Sequence, residues 1–297
     1  MKICLNCSDK IDGDSWICKS CGWVPLSING VNYFASHISG ASDSYDPVWY
    51  AELASLEANN FWFTARNQLI QWLMKRYLPK SGSYLEVGCG TGFVLKMIVE
   101  TFPDWEIHAT EAQPEGIEFA KQRVSRNVTF FQIDACAIPF RQEFNVVGAF
   151  DVIEHIRDDT KAISEIYAAL KPGGFFILSV PQHMLLWSKY DEAGCHFRRY
   201  SAKELEAKLK DAGFTIVEST SFNSLLLPLM LLSRYFKRTD NGIKVDVMDE
   251  LRLSSFVNSI LSSVLKLEFV LVRFGVRWPV GGSRVVVAQK NIERQGV

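Results

Sequence analysis

Long apolar runs are missing from this chain of 297 residues. Neither of its two most apolar segments approaches the about 18 uninterrupted apolar residues of a spanning helix. The N-terminal Met1-Lys2-Ile3-Cys4-Leu5-Asn6-Cys7 has no apolar core of the kind a secretory leader needs. Export is therefore not expected, and a cytoplasmic location is. An excess of charge of either sign is missing too. With 32 basic and 33 acidic residues the net charge is −1, which argues against a generic phosphate-binding surface and makes nucleic acid an unexpected partner. The chain does not lack apolar material: 48% of it is hydrophobic and 12% aromatic, well away from disordered compositions. Its length allows one large domain with a small accessory piece.

Cysteine is scarce after the first 21 residues. Of seven cysteines, only Cys89, Cys136 and Cys195 lie beyond them. The other four form Cys4-x2-Cys7 and Cys18-x2-Cys21, with Gly22 after the last and Trp16 and Trp23 close by. Without export, two thiolate pairs at this spacing read as a tetrahedral metal site and not as disulfides. A segment of this size cannot build a core alone, so the metal would supply its folding energy, on the order of 10 kcal/mol. Four ligands fill the shell, making the expected Zn2+ structural. The segment resembles a zinc ribbon, here residues 1–26.

The most informative nine residues are Tyr84-Leu85-Glu86-Val87-Gly88-Cys89-Gly90-Thr91-Gly92. A short apolar strand runs into Glu86, glycines alternate, and a helical run follows. Such a loop turns tightly and points free N–H groups at a ligand. A dinucleotide fingerprint would need glycine at the position held by Phe93. An acid two residues before the first glycine suits a positively charged ligand, such as a sulfonium or an amino group.

Around this loop the chain alternates strands (83–87, 106–110, 128–133, 145–150, 174–180) with helices near 92–101, 114–125 and 158–170. That alternation predicts an α/β fold with a doubly wound, Rossmann-like parallel sheet. Residues 27–46 are rich in Ser, Gly, Asn and Asp and read as linker or loop, and 47–78 as a helical region, giving a second segment at 27–82. Within it, Phe61-Trp62-Phe63-Thr64-Ala65-Arg66-Asn67 carries aromatics for the core or for a pocket. The catalytic domain is expected at 83–297, with Ser201 and Glu204 launching a helix at 201–212, strands at 214–220 and 283–290, and a helical insertion at about 222–282. The insertion carries an apolar run at 225–232, basic Arg234, Lys237 and Arg238, and a helix at 250–274. It stands open as a buried hairpin, a substrate lid, a dimer interface or a peripheral element on the inner face of a membrane.

In an open parallel sheet the ligand lies beyond the carboxyl ends of the strands. The second strand ends at Glu111, beside Ala112, where a carboxylate can accept ribose hydroxyls. The third ends at Asp134-Ala135, where the acid can accept from an exocyclic amine, and the fourth at Phe150-Asp151, where the ring can pack on the ligand.

The chain resembles the class I S-adenosylmethionine-dependent methyltransferases over about 60–221 and 283–290. The likeness rests on the 86–92 loop, Glu111, Asp134, Asp151-Val-Ile-Glu-His155 and Leu170-Lys-Pro-Gly-Gly174. It implies a seven-stranded sheet with an antiparallel last strand. Gly88 and Gly90 would line the methionine part, Glu111 the ribose and Asp134 the adenine, with Cys89, Gly92, Ala112, Ala135 and Asp151 alongside. Ubiquinone-biosynthesis O-methyltransferases look similar in detail. By that likeness Arg66 meets the cofactor carboxylate and Phe150 is a cofactor contact. Because a sulfonium is already activated, proximity and in-line orientation carry much of the rate. An oxygen acceptor also calls for a base, and His155 and His196 are the candidates. Arg198 and Arg199 stand where an anionic substrate could be gripped, and 181–200 would roof the acceptor pocket.

The first expectation is methyl transfer to a small molecule, glycan or lipid precursor, at oxygen. The alternatives are a ribosomal RNA methyltransferase using the ribbon, and a non-catalytic scaffold. The ribbon's Lys2, Lys10 and Lys19 are offset by Asp9, Asp12 and Asp14, leaving no phosphate track. The Asn/Asp-Pro-Pro-aromatic motif common in base amino-group methylation is replaced by Asp151-Val-Ile-Glu.

Overall fold

The computed structural model describes residues 1–36, 48–125, 128–238 and 251–292. The rest of the expected linker and the middle of the insertion, residues 37–46 and 239–250, lie outside the described residues. In chain order the elements are β1 (Lys2–Ile3), β2 (Lys10–Ile11), β3 (Leu26–Ile28), β4 (Val31–Tyr33), α1 (Val48–Leu56), α2 (Phe61–Tyr77), β5 (Gly82–Val87), α3 (Phe93–Thr101), β6 (Trp105–Glu111), α4 (Pro114–Arg123), β7 (Thr129–Gln132) and β8 (Phe144–Phe150). They continue with α5 (Asp159–Ala169), β9 (Leu170–Pro181), α6 (Lys189–Ala193), α7 (Ala202–Asp211), β10 (Phe214–Phe222), α8 (Leu227–Arg238), α9 (Ser255–Arg273) and β11 (Ser283–Lys290).

Nine strands make one sheet in the order β10-β11-β9-β8-β5-β6-β7-β4-β3. The strands from β5 to β9 pair in parallel, and β11 runs antiparallel to both of its neighbours. The expected seven-stranded unit is present, with its last strand antiparallel. Central β5 is buried from Ser83 to Val87 because helices cover both faces. On one face α3 buries Val94, Leu95, Ile98 and Val99 at helical spacing, against Leu69, Ile70 and Leu73 of α2. On the other, Ile163 and Ile166 of α5 and Leu205 and Leu209 of α7 close a second core over Leu85 and Val147. The 201–212 helix starts as expected, with the Ser201 hydroxyl accepting from Glu204 N–H at 3.1 Å.

The linker reading of 27–46 is corrected by β3 and β4. Asn29 and Gly30 both take positive φ (49° and 75°), the geometry of a two-residue hairpin turn. The turn residues that suggest loop composition therefore close a hairpin, and β4 adds it to the sheet beside β7. The sheet thus gains two strands. Trp16 packs edge-on against Phe34, Phe131 and Phe140 at 4.7, 5.9 and 5.5 Å, and Ile3 N–H donates to Pro139 O at 3.0 Å. These contacts seal the cysteine segment onto β7 and the loop that follows it. In the insertion, α9 packs along α2 through Leu261, Leu265 and Phe269.

Candidate active site

The loops that leave the carboxyl ends of β5, β6, β7 and β8 form most of the site. They enclose a cavity of about 640 Å³ lined by Glu86, Gly88, Cys89, Gly90, Glu111, Ala112, Asp134, Ala135, Phe150 and Asp151. Trp62, Phe63 and Arg66 of α2 close it from the side, so the aromatic cluster does reach a pocket. Gly88, Glu111 and Asp134 share this one space.

Gly90 has φ 51°, and a Cβ built there meets nothing within 4 Å, so its amide stands beside open space. That amide donates to Glu111 Oε2 at 2.8 Å, while Ala112 and Gln113 N–H donate to Oε1 at 2.8 and 3.2 Å. Tyr50 of α1 adds its hydroxyl at 3.5 Å. Glu111 therefore ties the glycine loop to the end of β6 and lines the cavity as well. Burial raises its carboxyl above the ordinary range, against those backbone donors. Gly92 is a correction. It is absent from the cavity wall, and a Cβ there would fall 2.8 Å from Ala120 Cα. Its bareness lets α3 approach α4.

Glu86 is 2% exposed and accepts from the Tyr84 hydroxyl at 3.1 Å. Burial raises it to about 8, with Tyr84 and the Arg66 guanidinium acting the other way. Arg66 is 6% exposed, pairs with Asp151 through NH1, and lies 4.7 Å over the Trp62 ring. Its Nε is buried with no partner among the described residues, and the side chain lines the cavity, a cation for an anionic ligand group. Arg66 is thus a buried cation and not a surface charge. Asp151 holds φ 55°, a strained value for a non-glycine residue, fixed by its N–H to Ser179 O and by Ser179 Oγ to Oδ2, both 2.9 Å. Asp134 Oδ1 caps its own turn, accepting from Cys136 N–H at 2.8 Å.

His155, Ile156, Arg157, Asp158 and Cys195 line the same cavity. His196 does not; it stands behind His155, ring centroids 4.5 Å apart. Burial, with His196 beside it, lowers His155 to about 3, so this imidazole stays neutral and is a poor proton acceptor. The two arginines expected to hold substrate are committed elsewhere. Arg198 binds Ile156 O, Arg157 O and Asp159, and Arg199 binds Asp191 and Gln182 O. Of the segment 181–200, Cys195 alone appears in the wall.

Sequence reasoning missed Tyr50, Tyr84 and Glu57. Glu57 accepts from Thr91 Oγ1 at 2.7 Å and pairs with Arg123, pinning the loop to α1 and α4. Tyr84 carries a readable signal, since residues two apart on a strand share a face with Glu86. The other two lie far away in sequence and have none.

A doubly wound sheet with an antiparallel seventh strand, a Gly-rich loop after its first central strand and acids at the next strand ends defines a class I S-adenosylmethionine-dependent methyltransferase. The methyltransferase-domain family profile matches residues 60–219, and the chain belongs to that family. A probable S-adenosylmethionine-dependent methyltransferase of Mycolicibacterium smegmatis is 26% identical over 170 residues, 56% of this chain and 64% of that protein. A malonyl-[acyl-carrier protein] O-methyltransferase of Acetivibrio thermocellus is 30% identical over 101 residues, 34% of this chain and 36% of that one. The chain thus spans less than two thirds of these curated relatives. Among solved structures, a Haloferax volcanii complex of the Trm112 methyltransferase activator with a putative methyltransferase matches at TM-score 0.55 and 16% identity, covering 82% of this chain and 97% of that one. The Haemonchus contortus phosphoethanolamine N-methyltransferase 2 bound to S-adenosyl-L-methionine matches at 0.51 and 23%, covering 76% and 52%. These two likenesses concern the fold.

Proposed function

We propose that this enzyme transfers a methyl group from S-adenosylmethionine to a hydroxyl of a small molecule, glycan or lipid precursor. The observation that carries the reading is one cavity whose wall combines bare glycine backbone and the carboxylates of Glu86, Glu111, Asp134 and Asp151 with His155, Arg157 and Cys195. When bound, the cofactor supplies an activated methyl on a cationic sulfur. Arg66 fits the cofactor carboxylate, Glu111 the ribose and Asp134 the adenine amine, since all three line this cavity. Calorimetry tests the binding half: S-adenosylmethionine should bind the wild type and bind Glu111→Ala at least tenfold more weakly. Absence of heat with folded wild type at millimolar cofactor would favour the scaffold alternative. Labelled methyl transfer into a fractionated host extract then separates hydroxyl acceptors from RNA.

Cys4, Cys7, Cys18 and Cys21 fit a structural zinc ion. Their sulfurs lie within 4.8 Å of one another, with Cys4–Cys21 at 3.6 Å and Cys7–Cys18 at 3.5 Å. Zn–S bonds of about 2.3 Å put tetrahedral sulfurs roughly 3.8 Å apart. Ser8 N–H donates to Cys4 O and Gly22 N–H to Cys18 O, both 2.8 Å, forming two matching knuckles.

A lipid-linked acceptor is favoured by α9. Phe256, Ile260, Leu267, Val270 and Phe274 fall on one stripe and are 75, 49, 55, 42 and 86% exposed. Lys266 and Arg273 flank the stripe, while the helix's acid, Glu268, is buried and accepts from Ser224 and Leu225 N–H at 2.7 and 2.8 Å. The expectation that neither apolar segment could span is corrected here: although Lys266 and Glu268 interrupt it, α9 is long and apolar enough by length and composition to cross a bilayer. Its ends, however, are fastened to the domain, by Asn258 to Phe61 N–H and Asn59 O and by Trp278 N–H to Thr220 Oγ1. An apolar stripe edged by cations suits an anionic membrane surface. Flotation with anionic vesicles, lost in Phe256→Ser/Leu267→Ser and absent with neutral vesicles, tests this; stripe-dependent dimers in sedimentation would overturn it.

A further inference from the structure

Gln132, the last residue of β7, is fully buried, and its side-chain amide binds backbone from two other parts of the chain. Oε1 accepts from Ala35 N–H at 3.0 Å, and Nε2 donates to Ala35 O and to Ala112 O, both at 2.9 Å. One donor and two acceptors around it match a primary amide in this orientation alone. Ala35 lies two residues past β4, and Ala112 follows Glu111 at the end of β6 and lines the cavity.

The Ala112 carbonyl belongs to the same planar peptide as the Gln113 N–H. That N–H donates to Glu111 Oε1 at 3.2 Å. Gripping the oxygen of this peptide therefore aims its N–H, and with it the carboxylate assigned to the ribose. Asp134, assigned to the adenine amine, is two residues further along the chain from Gln132, and the intervening Ile133 N–H donates to Glu111 O at 3.4 Å.

The other end of the clip leads to the cysteines. Phe34 N–H donates to Gln132 O at 2.9 Å, and the Phe34 ring meets Trp16 and Trp23 at 4.7 and 5.9 Å. Both tryptophans pack against the small core of Cys4, Ile11 and Cys18. A continuous run of contacts thus joins the four-cysteine cluster to the adenosine side of the cavity.

We propose that Gln132 is a positioning residue for the cofactor, holding Glu111 through the Ala112–Gln113 peptide, and that the metal-bound N-terminal segment acts through it as a built-in activator of cofactor binding. The role rests on the methyl-transfer reading above. Gln132 is outside the cavity wall, so it works through backbone and not by touching the ligand. When the cysteine segment comes away, Ala35 leaves with it and the Gln132 amide loses two of its three bonds. A buried amide in that condition turns to water, and the grip on Ala112 loosens.

Calorimetry with S-adenosylmethionine and S-adenosylhomocysteine on the full chain tests the proposal. Gln132→Met keeps the length of the side chain without its hydrogen bonds and should weaken both ligands about tenfold or more. A loss routed through Glu111 is shared with it, so Glu111→Ala/Gln132→Met should bind within about twofold of Glu111→Ala, whereas unrelated losses multiply. Removing zinc from the wild type with a chelator should also weaken both ligands about tenfold, reversed when zinc is restored. Hydrogen exchange gives a readout that needs no variant. In the zinc-free wild type the amides of Gly90, Ala112 and Gln113 should exchange faster, while those of β9, β10 and β11 keep their protection. Unchanged affinity in either Gln132→Met or the zinc-free wild type, or losses that multiply in the double variant, overturns the proposal. Failure of the methyl-transfer reading looks different: folded, zinc-loaded wild type binds neither ligand, while exchange at Ala112 and Gln113 still responds to zinc.

Discussion

Replacing Glu86 with glutamine isolates the one carboxylate whose ionisation the cofactor's positive charge should change most. Glu86 is almost fully buried and raised to about 8 from 4.5. A raised acid binds more protons folded than unfolded between those values, so its contribution to stability falls as pH rises from 4.5 to about 8. The whole effect has an upper bound on the order of 5 kcal/mol at about 1.4 kcal/mol per tenfold. At pH 6.5 only roughly 3% of Glu86 is ionised if it titrates at about 8. A ligand bringing positive charge must draw that proton off. S-adenosylmethionine affinity should therefore rise about tenfold per pH unit from 6.5 toward 8 and then level. Calorimetry in buffers of different ionisation enthalpy should show close to one proton released per cofactor at pH 6.5. In Glu86→Gln the release should vanish and the pH slope flatten. S-adenosylhomocysteine keeps the amino group and loses the sulfonium, so a slope retained with it assigns the pairing to the amino group. Equal affinity at pH 6.5 and 8.5, with no proton release, would refute the coupling.

Other outcomes follow from single contacts. Gly92→Ala forces a methyl against Ala120 and should cost about 1–3 kcal/mol in urea unfolding. Its cofactor affinity should change little, since the residue is outside the cavity wall. Arg66→Lys keeps a charge but gives up the fork shared between Asp151 and the cavity, so cofactor Kd should rise about tenfold or more in calorimetry. Cys7→Ser, or chelation of the ribbon metal, should release Trp16 from Phe34 and Phe131, visible as a red shift of tryptophan emission and a lowered Tm.

Much of the catalytic domain was legible because its signals are local. The alternation of β5 to β9 with α3 to α5 follows from short apolar runs between helical patterns, and strand ends name Glu111, Asp134 and Asp151 by counting. What misled was equally local. The turn chemistry of Asn29-Gly30 has the composition of a linker, and only pairing with β7 shows a hairpin. Gly92 repeats the spacing of Gly88 and Gly90, but its partner is Ala120, which no motif encodes.

The sequence by itself determined the doubly wound domain, the glycine loop and its acids, and the four-cysteine cluster, because each is written in residues close together along the chain. Tertiary structure decided which charges are spent inside the protein and which face the cavity. Arg198 and Arg199 bind carbonyls and carboxylates, Arg66 lines the cavity, and His196 withdraws behind His155 to meet Asp191. Desolvation and partner geometry set those outcomes, and both depend on groups tens to hundreds of residues apart that only the folded chain brings within a few ångströms.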